Sequence, residues 1–106
     1  MGKPRHNEQA AEAVRSIEET VRTYAPGRDD AVTRQIIERL LDYIRTVANG
    51  TRPVDLDDRL AELRGWVDLL LSPRKHARHG GLERVRTRML TRCEELRRLL
   101  NGRRAY

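Results

Sequence analysis

Five apolar residues, Ala10, Val14, Ile17, Val21 and Tyr24, follow one another at steps of 4, 3, 4 and 3. An α-helix gathers that spacing into one stripe along its side, and a strand would scatter it over both faces. The same steps return in Leu56, Leu60, Leu63, Val67 and Leu70, and a closely related set runs through Leu82, Val85, Met89, Cys93, Leu96 and Leu100. A further set, Val32, Ile36, Ile37, Leu40, Leu41, Ile44, Val47 and Ala48, is broader and covers about half of its helix circumference. Helices that are apolar on one side must bury that side against each other. The expected fold is therefore all-α, an up-and-down antiparallel four-helix bundle. Its second helix is either the most buried or carries a second contact face through which copies self-associate.

The punctuation between these runs agrees with that layout. Asn7 is placed to cap the first helix, which runs over 7–24 until Pro26 and Gly27 break it. Asp29 or Asp30 caps the second, which stops at Asn49 and Gly50. Pro53 shapes the next loop, Asp55 caps the third helix, and Asp57 and Asp58 sit in its positive first turn. Gly65 inside that helix is a place where a neighbouring helix can come close. Ser72 and Pro73 end it, and a basic loop over 73–81 with room for a helical turn leads to the fourth helix. Connections of roughly 5 to 9 residues favour antiparallel neighbours. The domain reading is a flexible leader over 1–6, one bundle over 7–101 and a basic tail over 102–106.

At 106 residues, with no Phe, this single domain must build its core from Leu, Ile, Val and Ala. The lone cysteine, Cys93, cannot pair within the chain, which suits a reducing, cytoplasmic setting. No run approaches the roughly 20 apolar residues of a membrane span, so no membrane partner is expected.

Charge is the most uneven feature. Residues 1–72 hold 11 Lys and Arg against 13 Asp and Glu, whereas residues 73–106 hold 11 against 3. Arg74, Lys75 and Arg78 lie in the basic loop, and Arg84, Arg88 and Arg92 step by four along one flank of the last helix. Arg86 and Arg97 occupy its other flank. Arginine forks match phosphate oxygens, so nucleic acid is one candidate partner for the first six. No aromatic side chain interleaves these residues in the sequence, as a single-strand binder would want. Trp66 and Leu69, off the main stripe of the third helix, and Leu41 on the broad second helix are the candidate surface for a protein partner, most simply a second copy.

Nothing in the sequence points to catalysis, a cofactor or a metal. His76 and His79 have ligand-like spacing, but only Cys93 and His6 are left to complete a zinc site, and Cys93 falls on an inward stripe. Gly80 and Gly81 make a turn, without a phosphate-loop pattern around them. The aspartate pairs are explained by capping, and Glu18 and Glu19 read as solvated. Residues 44–58 resemble a loop region of helical chorismate mutases over some 15 positions. That likeness implies a small helical enzyme holding an anionic substrate through arginines. The early break at Pro26 departs from that family's long first helix, and Lys3 and Lys75 are the only lysines for its buried-lysine site. The leading expectation is a non-catalytic interaction or regulatory protein that works through protein contacts. A nucleic-acid-binding regulator comes next, and the small enzyme last.

Overall fold

The computed structural model describes residues 5–27, 29–48 and 55–101. Asn49, Gly50, Pro53, Gly102, Arg103 and Arg104 lie outside the described residues, as do residues 1–4 of the expected leader and the side chains of residues 5–7. Every regular element among the described residues is a helix: α1 (Arg5–Thr23), α2 (Asp30–Val47), α3 (Leu56–Leu70), α4 (Pro73–Arg78) and α5 (Leu82–Leu100).

The expected number of four helices is thus corrected to five among the described residues, because the basic loop folds. Pro73 takes the first position of α4, where its missing N–H costs nothing, and Ser72 Oγ accepts from Lys75 N at 3.4 Å. Gly80 and Gly81, at φ 97° and 102°, then turn the chain into α5. At the other end of the chain, α1 begins at Arg5, which places Asn7 inside the first turn rather than at the cap. Gly27 at φ 84° and Asp29 at φ 54° reverse the chain between α1 and α2. Tyr24 ties that turn down, its hydroxyl donating to Asp30 Oδ1 at 3.0 Å.

Among the described residues, α1 packs on α2 and α5, and α3 packs on α2 and α5, while α4 bridges one end of α3 to α5. The four long helices therefore close a ring around one core, and the α1–α2 seam lies across that ring from the α3–α5 seam. The stripes of α1, α3 and α5 are buried as their spacing predicts, from Val14, Ile17 and Val21 through Leu60, Leu63 and Val67 to Met89, Cys93 and Leu96. The broad set on α2 divides. Ile37, Leu41, Ile44 and Ala48 face the core, whereas Val32, Ile36 and Tyr43 stay exposed.

Two sequence expectations change here. Glu18 is buried rather than solvated, because it lies on the flank of α1 that meets α5, where its carboxylate accepts from Arg97 Nε at 3.1 Å. Gly65 is exposed, and a Cβ there would meet nothing within 4 Å, so no helix approaches it closely. No helix among the described residues is long and apolar enough to cross a membrane.

Candidate interaction surfaces

The arginines of α5 separate according to what each flank meets. On the α1 side, Arg86 Nη1 donates to Val21 O, Arg22 O and Tyr24 O at 2.5, 3.2 and 3.0 Å. It thereby closes off the carbonyls that the end of α1 leaves without helical partners. Arg97 on the same flank holds Glu18. On the α3 side, Arg92 Nε donates to Glu62 Oε2 at 2.8 Å, and its Nη1 lies 3.3 Å from Glu95. The carboxylate partners raise the Arg92 pKa, Glu62 most of all. Arg92 is therefore held inside the fold's own ion-pair network.

Arg88 and Arg84, one and two turns earlier, have no ion pair among the described residues. Together with Trp66, His79 and Gly80 they line a hollow of about 280 Å³ between α3, α4 and α5. Gly80 matters to its shape, because a Cβ at that position would run into the Arg84 side chain. The indole of Trp66 is fixed from below, with Nε1 donating to Glu62 Oε2 at 3.4 Å while Arg92 grips the same carboxylate. Arg74, Lys75 and Arg78 are exposed on α4 beside this hollow and are also without ion pairs among the described residues. The fold thus brings two of the six expected anion contacts, Arg84 and Arg88, together with an aromatic ring from α3, and three more lie on the adjoining helix α4. Sequence order concealed that juxtaposition, since Trp66 precedes Arg84 by 18 positions.

A second surface runs along the α1–α2 seam. Val32, Ile36 and Tyr43 are 51, 42 and 44% exposed and share one side of α2 with the half-buried Leu40. They form the apolar wall of two shallow hollows of about 360 and 290 Å³, whose other wall is Gln9, Glu12, Ser16, Thr20 and Thr23 of α1. Of the expected partner surface, Leu41 is fully buried and offers no contact, a correction that follows from its facing the core between Ile37 and Ile44. Leu69 and Trp66 are both half-buried against the core, and Trp66 also lines the basic corner. The sequence did carry a signal for the exposed row: Val32, Ile36, Leu40 and Tyr43 repeat at helical spacing, displaced around α2 from Ile37, Leu41 and Ile44.

Comparison with protein-family models, with curated proteins and with solved structures gives no match. Burial pushes the Cys93 thiol up to about 12, reinforced by the neighbouring Glu18 charge. Burial and the Asp30 hydrogen bond push the Tyr24 phenol to about 12 as well. Both groups are held protonated, the opposite of what activates a nucleophile or a base. Among the described residues, no group of three His, Cys, Asp or Glu side chains is arranged to hold a metal ion. Among the described residues, neither ring nitrogen of His76 finds a hydrogen-bond partner.

Proposed function

We propose that this chain is a non-catalytic helical interaction protein that pairs with a second copy of itself through the α1–α2 face. The observation that carries this reading is the exposed row of Val32, Ile36 and Tyr43 at helical spacing on a helix whose opposite side is already buried. Scattered exposed apolar residues need no explanation, but a row aligned along one helix is what a partner helix covers.

A second copy fits this seam by charge. Glu12 stands on the α1 wall and Arg39 lies one turn from Tyr43 on α2, and both are without ion pairs among the described residues. A two-fold axis brings each Glu12 toward the Arg39 of the other copy, because such an interface pairs the same surface with itself. In this arrangement the four long helices of each copy run up and down around their own core, and the two α1–α2 faces stack.

The size of the face sets the strength. The 18 residues of α2 are about 27 Å long, and two helices side by side are about 20 Å wide. Each copy then buries on the order of 500 Å², roughly 1,000 Å² in all, at the lower edge of specific interfaces. A micromolar dimer is expected. Sedimentation velocity from about 1 to about 200 μM brackets that range. The sedimentation coefficient should rise with concentration for the wild type and stay at the monomer value for Ile36→Glu. A wild-type chain that remains monomeric across the series refutes the proposal.

A further inference from the structure

An indole next to two unpartnered guanidinium groups is an unusual thing to leave at a surface. We infer that the hollow between α3, α4 and α5 binds single-stranded nucleic acid, with one base stacking on Trp66 and the adjoining phosphates held by Arg84 and Arg88. Arg74, Lys75 and Arg78 on α4 extend the cationic track from the hollow.

Three observations select this ligand. The first is volume. At about 280 Å³ the hollow is at the small end of ligand sites and has room for one ring system. It suits one base of a strand whose remainder lies outside. The second is electrostatic. The acidic side chains of the neighbouring turns are already held by other arginines: Glu62 by Arg92, Glu83 by Arg86 and Glu95 by Arg59 and Arg92. Arg84 and Arg88 keep their charge available, and a fork of donors suits a phosphate. The third is the ring. An acidic protein would use the cations and gain little from the indole. A duplex keeps its bases stacked inside and must break that stacking before one can reach Trp66. A single strand gains from both, and stacking tolerates any base.

Arg92 is held by Glu62, which also accepts from the Trp66 indole, so Arg84 and Arg88 are the guanidinium groups left to a ligand. The site lies across the ring of helices from the α1–α2 face, so a dimer formed there leaves it open.

The test uses the full chain and a fluorescently labelled oligo-dT or oligo-rU of about 12 nucleotides, within the usual range of single-strand site sizes, at low salt. Binding should raise the oligonucleotide's anisotropy and quench Trp66, the only tryptophan. Affinity should fall with salt at a log–log slope of roughly −0.7 per phosphate contacted, or about −1.5 to −3.5 for two to five contacts. Trp66→Ala should weaken binding by about 5- to 100-fold, with Trp66→Phe between it and the wild type. Arg84→Gln with Arg88→Gln should weaken it at least as much. Arg15→Gln with Arg45→Gln removes the same net charge elsewhere and should leave affinity within about 2-fold. If Trp66→Ala loses helical circular dichroism, the Arg84 and Arg88 pair and the wild-type quench still decide the matter. The inference is overturned by absence of binding at low salt, by a duplex or polyglutamate binding as tightly as the single strand, or by equal loss in both arginine pairs.

Discussion

Arg86 is the side chain on which the join between α1 and α5 most depends, and its replacement gives a quantitative test. The last carbonyls of any helix lack intrahelical partners. Here the chain turns away after Thr23 toward Pro26, so α1 cannot supply them itself. Arg86 Nη1 takes the Val21 and Arg22 carbonyls of the last turn and the Tyr24 carbonyl just beyond it, while Nε and Nη2 are each braced at 3.1 Å by the Glu83 carboxylate. A hydrogen bond to a charged group contributes about 1.5–3 kcal/mol net, and a cation at a helix C-terminus about 0.3–1 kcal/mol. The three contacts share one nitrogen and do not add, so Arg86→Ala should cost about 2–3 kcal/mol. With a urea slope of about 2 kcal/mol/M the midpoint should fall by about 1–1.5 M. Arg86→Lys should recover about half, because an ammonium has no planar fork. Glu83 is 78% exposed at its side chain, and Glu83→Ala should cost under about 1 kcal/mol. The reasoning fails if Arg86→Ala lies within about 0.5 kcal/mol of the wild type, or if Glu83→Ala proves equally damaging.

Two further outcomes follow from the fold. Gly65→Ala should stabilise by about 1 kcal/mol, because the position is mid-helix and open; a melting temperature raised by about 4 °C would agree, and no change would mean that α3 is distorted there. The raised pKa values of Cys93 and Tyr24 act at alkaline pH. The unfolded chain loses the thiol proton near 9 and the phenol proton near 10, whereas the folded chain keeps both to about 12. Stability from these groups is therefore complete below pH 9 and falls as pH rises from 9 to 12, by up to about 1.4 kcal/mol per pH unit for each group. Urea midpoints that stay level from pH 9 to pH 11 would refute it. Cys93 should also react with thiol reagents only at the rate of unfolding.

The helical fold and its core were legible because they depend on a period. Ile17, Leu63, Met89 and Leu96 are buried where their spacing places them. What spacing cannot express is which neighbour each flank will meet. Glu18, four residues after Val14, sits only about 40° around α1 from it at the edge of the apolar stripe, and the arrival of α5 with Arg97 makes that edge interior. The width of the apolar set on α2 was visible, but how it divides between core and solvent depends on where α1 and α3 sit. So Leu41 turned inward, and the exposed apolar row consists of Val32, Ile36 and Tyr43. The short helix α4 was half-visible: Ser72 and Pro73 marked its start, but its six residues are too few to carry a period.

The same limit explains the basic third of the chain. Its arginines look interchangeable in sequence, and the net excess of positive charge reads equally as solubility, internal pairing or an acidic partner. The fold assigns them separate tasks according to the helix each one faces. Arg86 and Arg97 spend their charge on α1, and Arg92 spends its charge on Glu62 and Glu95. Once those are satisfied, the acidic groups nearest the α4–α5 corner are occupied, and the charge left over is no longer diffuse. Among the described residues of this third it rests on Arg74, Lys75, Arg78, Arg84 and Arg88, and the last two share a hollow with the one tryptophan. An excess that served only solubility would have no reason to place two free guanidinium groups beside an aromatic ring. For that reason binding at this corner should depend on Trp66 as well as on charge.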